Sequence, residues 1–82
     1  MSTDFHKILL SEGKFYDFRF LQLETATGNK FFTTVIRDFQ YIYFRMVFEN
    51  KQWIISDSHE VPEWILLMED VFSQNIIQET RE

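Results

Sequence analysis

From Lys14 onward the chain alternates side by side. Tyr16, Phe18 and Phe20 fall on one face and Phe15, Asp17, Arg19 and Leu21 on the other, which is the two-residue period of a β-strand. Residues 14–23 are therefore read as a strand. Residues 30–37, 39–48 and 52–56 have the same character, rich in Phe, Tyr and β-branched residues that suit a pleated surface. Beyond residue 60 the period changes. Val61, Trp64, Ile65, Met68, Val71, Phe72 and Ile76 recur at the spacing of one helix face, with Glu63, Asp70, Ser73 and Gln74 opposite. Pro62 suits a first helical turn, and Glu60 and Glu63 place negative charge at the positive end of the dipole. A helix over 61–78 follows.

Residues 4–12 read as a short N-terminal helix, with Asp4 as cap, Phe5, Ile8 and Leu9 on one face and Gly13 as terminator. A strand is the alternative, because Lys7-Ile8-Leu9-Leu10 fits either period.

Turn signals connect the strands. The segment Thr25-Ala26-Thr27-Gly28-Asn29 is the clearest turn, Asp38 marks a bend, and Asn50-Lys51 reads as a two-residue hairpin turn. The last hairpin then opposes Glu49 with Gln52, Phe48 with Trp53 and Met46 with Ile55; the first is registered by setting Leu23 opposite Phe31. These registers predict an inner face of Tyr16, Phe18, Phe20, Phe32, Ile36, Ile42, Phe44, Met46, Phe48, Trp53 and Ile55. The predicted fold is α+β: one domain over residues 1–82, a four-stranded antiparallel meander over 14–56 and a C-terminal helix across one face.

Size limits the core. A chain of 82 residues buries roughly 60 to 65% of the surface its unfolded form exposes. With no cysteine there is no disulfide to add, so ten Phe, three Tyr and two Trp must supply dense packing, or a partner must. The N-terminus lacks the basic start and apolar core of a signal peptide, and no apolar run approaches the roughly 18 residues that span a membrane. The expectation is a cytoplasmic protein with no membrane partner.

The net charge of −5 is unevenly distributed. Residues 1–48 hold six basic and five acidic side chains, whereas residues 49–82 hold two basic and eight acidic ones. An acidic surface of this kind disfavours phosphate-bearing partners.

Motifs for chemistry are weak. Asp57-Ser58-His59-Glu60 contains the residue types of a hydrolytic triad, but neighbours on one loop diverge instead of converging, and no nucleophile elbow or oxyanion loop accompanies them. His6 and His59 are far apart without metal-ligand spacing, and Glu69 and Asp70 project about 100° apart on a helix. Gly13 and Gly28 alone make no phosphate cradle. No catalytic residue, cofactor or metal site is assigned, and the expectation is a protein that is not an enzyme.

The outer sheet face is more informative. Phe15, Arg19, Leu21, Phe31, Val35, Tyr41, Tyr43, Arg45 and Val47 are too apolar a set to face water. The N-terminal segment, a second copy or a ligand could cover it. The candidate interaction surface is Phe15, Arg19, Phe31, Tyr41, Tyr43 and Arg45, and the expected role is a non-catalytic module that forms a homodimer or binds a protein partner through this face or a sheet edge. Four antiparallel strands followed by a helix, over roughly residues 14–78, also resemble in layout the repeat of the PUR and Whirly single-strand-binding proteins. That resemblance implies bases stacked on rings and phosphates held by arginine. Those proteins use basic grooves, and here Arg19, Arg37 and Arg45 stand with Asp17 among them.

Overall fold

Five antiparallel strands run in simple meander order: β1 (Asp4–Ser11), β2 (Lys14–Thr25), β3 (Gly28–Arg37), β4 (Gln40–Glu49) and β5 (Gln52–Ser56). A 3-10 turn (Ser58–Glu60) leads into α1 (Glu63–Leu66) and α2 (Glu69–Thr80), which pack on one face of the sheet. The computed structural model describes residues 4–26 and 28–80. The α+β class, the antiparallel sheet and the C-terminal helix match expectation; the sheet has five strands instead of four.

The additional strand is β1. Residues 4–12 are not helical: Asp4–Ser11 pairs with β2 from Asp4↔Leu21 to Ser11↔Lys14. Phe5 and Leu9 satisfied a helical pattern, yet they also fall on one face of a strand, and that face holds the aromatic surface they need. The Phe5 ring stacks on Phe20 with centroids 4.7 Å apart and planes at 10°. Gly13 uses its positive φ of 80° in the β1–β2 turn instead of ending a helix.

Three connections are two-residue turns with positive φ at both central positions: Glu12-Gly13, Asp38-Phe39 and Asn50-Lys51. Such turns match the right-handed twist of the strands they join. The Asn50-Lys51 turn sets Glu49 opposite Gln52, Phe48 opposite Trp53 and Met46 opposite Ile55, as expected.

The β2–β3 register differs from expectation by one residue. Thr25 pairs with Gly28, Gln22 with Phe31 and Leu23 with Lys30. A shift of one residue turns every side chain of a strand to the other face. Phe31 and Val35 therefore lie in the core instead of on the outer face, while Phe32 and Ile36 face outward instead of inward. The reason is visible in the composition of β3. Phe31-Phe32-Thr33-Thr34-Val35-Ile36 places one Phe, one Thr and one β-branched aliphatic residue on each face, so the side chains carry no phase and the turn decides. Thr25 Oγ1 donates to the Gly28 carbonyl at 2.6 Å and holds the turn ends together.

The helical segment is also divided. A single helix over 61–78 was expected; the backbone instead tightens at Leu67 and Met68, where Met68 N–H donates to the Ile65 carbonyl at 3.0 Å. Pro62 forms the cap of α1, and its carbonyl accepts from both Ile65 and Leu66. Both segments keep their apolar residues on the sheet. Ile65, Met68, Phe72 and Ile76 are buried with Phe18, Phe20, Phe31, Phe44, Met46, Trp53 and Ile55, whereas Val71, expected on this face, is largely exposed. Phe72 is the hub, with ring centroids 5.0 Å from Phe18, 5.4 Å from Phe44 and 6.0 Å from Phe20.

Two polar contacts fix α2 against β5. Trp53 N–H donates to Ser73 Oγ at 2.9 Å, and Ile55 N–H donates to Glu69 Oε2 at 2.8 Å. These amides belong to an edge strand, so the helix caps groups that would otherwise invite another chain. Ser73→Ala is expected to cost about 1 to 3 kcal/mol, because it strands the Trp53 amide in a buried position. Urea unfolding measures it, and removing Glu69 and Ser73 together should also raise the tendency to aggregate. Thr33 offers the opposite case. It is fully buried and its hydroxyl has no hydrogen-bond partner. Thr33→Val should stabilise the fold by about 1 kcal/mol, a rise in Tm of roughly 4 to 8 °C. Phe72→Ala should lose about 3 to 5 kcal/mol in the same assay.

Candidate functional site

The face of the sheet away from the helix is uncovered among the described residues. Its members are set by alternation: Ile8 and Leu10 from β1, Phe15, Arg19 and Leu21 from β2, Phe32, Thr34 and Ile36 from β3, and Tyr41, Tyr43 and Arg45 from β4. Large side chains here are far from buried. Phe15 is 70% exposed, Ile36 63%, Tyr43 62% and Tyr41 61%, values far above those of the opposite face. Phe32 stacks on Tyr43 at 5.7 Å and 27°, and Tyr43 meets Tyr41 at 6.1 Å, so the rings form a strip across β3 and β4.

Five of the six expected surface residues, Phe15, Arg19, Tyr41, Tyr43 and Arg45, lie on this face. Phe31 does not. The register shift buries it under the helix, where its ring meets Trp53 edge-on at 5.1 Å, and Phe32 takes its place outside. Ile36 and the β1 residues Ile8 and Leu10 join the surface as well. The doubled pattern of β3 hid the first change, and the helical reading of residues 4–12 hid the second.

Charge on this face is sparse and partly engaged. Arg45 Nη2 lies 3.2 Å from Asp57 Oδ2. His6 Nδ1 lies 3.0 Å from Asp17 Oδ1. Arg37 belongs to the other face: its guanidinium sits 4.5 Å from the Trp64 ring centroid and 5.6 Å from that of Tyr16, and bonds Glu12 at 3.2 Å. The hydrogen bond from Arg37 to Glu12 pushes the guanidinium pKa up from its ordinary value. Arg19 alone of the three arginines has no ion pair among the described residues. It borders two adjoining depressions of about 570 and 370 Å³ that share Arg19, Thr34 and Tyr41.

A third cleft, of about 470 Å³, lies where β5 has ended and the first half of β4 has no strand on the side away from β3. Tyr41, Tyr43 and Arg45 form one wall and Asp57, Glu60 and Pro62 the other. The Asp57-Ser58-His59-Glu60 segment here does not assemble a relay. Asp57 turns to Arg45, while the His59 ring nitrogen lies 3.9 Å from Glu60 with both side chains open to water. No group of three metal-ligating side chains occurs among the described residues. No helix of the described residues is long and apolar enough to cross a membrane.

A scan against protein-family models and searches of curated proteins and of solved structures found no match to this chain.

Phe39 was not anticipated. It occupies the second position of the Asp38-Phe39 turn at φ 64°, fully exposed, beside Tyr41 along β4. A bulky residue in the left-handed region costs of order 1 to 2 kcal/mol, and a ring in open water recovers none of it. Phe39→Gly is therefore expected to stabilise the monomer by about 1 kcal/mol in urea unfolding.

Proposed function

We propose that this protein is a non-catalytic interaction module that self-associates or holds a protein partner on its outer sheet face. The observation that carries this reading is the exposure of Phe15, Ile36, Tyr41 and Tyr43 on one continuous face, with no element of the described chain over them. Aromatic residues and arginine are the groups that anchor protein interfaces, since rings bury much area with few rotatable bonds. Arg19 sits among them, able to stack on a partner's ring or to receive a carboxylate. Binding here is driven by ring burial and should tolerate salt.

A second reading is a single-stranded nucleic acid site. Arg19 between Phe32 and Tyr41, without an ion pair of its own, favours it, because a base on a ring and a phosphate on an arginine need that juxtaposition. The engagement of Arg37 and Arg45 elsewhere and the net charge of −5 weigh against it.

Sedimentation equilibrium separates the two. The wild-type chain should form an assembly that persists at high salt and ignores an added single-stranded oligonucleotide. Tyr43→Asp, which places a charge on an exposed position, should lower the size of that assembly while leaving the circular dichroism spectrum and Tm unchanged. An oligonucleotide complex that weakens steeply with salt and with Arg19→Ala would give the site to nucleic acid instead.

A further inference from the structure

The two edges of the sheet are finished differently. On β5, Trp53 and Ile55 turn their amides away from β4, and Ser73 and Glu69 occupy them. Which residues point outward follows from the turn: the pair flanking a two-residue hairpin exchanges both backbone bonds, so Gln52 bonds β4 and Trp53 faces the edge. The same rule at the Ser11↔Lys14 pair directs Phe5, Lys7, Leu9 and Ser11 to β2. It leaves the backbone groups of Asp4, His6, Ile8 and Leu10 at the edge of β1.

Nothing along that edge blunts it among the described residues. The strand is eight residues long, with no proline and an unbroken register. Edge strands are ordinarily protected by charge, above all by lysine. Here Lys7 Nζ is held 3.2 Å from Glu79 of α2, and His6 is held by Asp17. Ile8 and Leu10, 65% and 57% exposed, flank the open backbone groups. One edge is thus closed by two side chains, and the other is long, with its charge confined to Asp4 at its start and an apolar centre at Ile8 and Leu10.

We propose that β1 pairs antiparallel with β1 of a second copy about a two-fold axis through Ile8, joining the two sheets into one. The inference rests on the interaction-module reading and adds to it a contact that the outer face does not make. A row of alternating donors and acceptors is satisfied only by another extended chain. A second β1 supplies the identical row, and a two-fold axis makes the two self-complementary. The outer faces of both copies coincide only if the axis passes through a residue. An axis on Lys7 would set lysine against lysine. An axis on Ile8 sets Ile8 against the partner's Ile8, His6 against the partner's Leu10 and Lys7 against the partner's Leu9; like charges meet only at the strand ends, where Asp4 comes opposite the partner's Glu12, whose carboxylate Arg37 holds. The exposed Ile8 and Leu10 are then covered, and the aromatic strips of two copies lie on one continuous surface.

The test uses Tyr43→Asp as background, so that association through the outer face is silenced. Sedimentation equilibrium of that variant should give a salt-resistant species of twice the chain's 10.1 kDa. Adding Ile8→Pro removes only an amide that faces the edge, which edge strands tolerate, and should return the mass to that of one chain. Adding Ile8→Lys should do the same by opposing two ammonium groups across the axis, with an unchanged circular dichroism spectrum for either variant. The chain has no cysteine, so Ile8→Cys under oxidation should yield a covalent dimer, since directly paired Cα atoms about 5.5 Å apart fit a disulfide, and His6→Cys should not. A monomeric Tyr43→Asp protein at millimolar concentration would overturn the edge contact and leave the face reading intact. A dimer that persists in both Ile8 variants would also overturn it. If Tyr43→Asp changes nothing while the Ile8 variants dissociate the wild type, the edge contact stands and the face reading falls.

Discussion

The placement of α2 on β5 governs most of the rest of the structure. Two backbone amides of β5 reach two side chains one helical turn apart, Ser73 and Glu69, so that both the rotation of the helix and its position along the strand are specified. Each bond contributes only about 1 kcal/mol net, but leaving either amide unpaired costs more than forming the bond gains. With that alignment set, Phe72 falls among Phe18, Phe20 and Phe44, and Ile76 follows it into the core. The tight turn at Leu67 and Met68 separates α1 from α2 without changing this arrangement, since Ile65 before it and Phe72 after it are both fully buried on the sheet.

The turns impose a second constraint. Three connections require positive φ at both central residues, and the chain supplies a glycine at only one of those positions. Asn50 and Asp38 accept the conformation at modest cost; Glu12, Lys51 and above all Phe39 do not. Turns of this kind are retained because they leave no slack between strands, so each hairpin registers the next. That rigidity matters in a chain of 82 residues without disulfides, where the core has little stability to spare.

This hierarchy explains what was legible in the sequence. Strand β2 alternates Phe and Tyr with charged residues, and the Asn50-Lys51 turn ties β4 to β5, so the faces of these strands and the register of the last hairpin were readable; so was the sheet-facing side of the helical segment, apart from Val71, which is exposed, and Ser73, expected on the opposite side but buried against β5. Strand β3 was readable as a strand but not in phase, since Phe-Phe-Thr-Thr-Val-Ile presents equivalent faces and only the Thr25–Gly28 closure distinguishes them. Residues 4–11 were ambiguous because Phe5, Ile8 and Leu9 share a helix face, while in a strand Phe5 and Leu9 fall on one face and Ile8 and Leu10 on the other. What decides between them is long-range: the exposed side of β2 and the Phe20 ring on which Phe5 stacks. Five of the six candidate surface residues survived because they lie on strands whose phase was clear. Phe39 was missed because positive φ is a property of the turn geometry and left no mark on the apolar pattern.

The distribution of closed and open surfaces then bears on use. The inner face is sealed by α1 and α2, and the β5 edge by two α2 side chains; the outer face is met only at its margin, where Asp57 reaches Arg45, and no described strand or helix pairs with the backbone edge of β1. Those two open surfaces adjoin, because Leu10 of β1 pairs with Phe15 of β2 on the outer side. Charge reinforces the division. The acidic excess lies in residues 49–82, which form β5 and the helices, while the four strands that make the open surfaces come from a stretch of nearly balanced charge. Repulsion between copies is therefore greatest at the helical side and least at the uncovered one. Apolar rings, an unpaired strand edge and low net charge coincide on the same side of the molecule, and each independently lowers the cost of bringing another chain there.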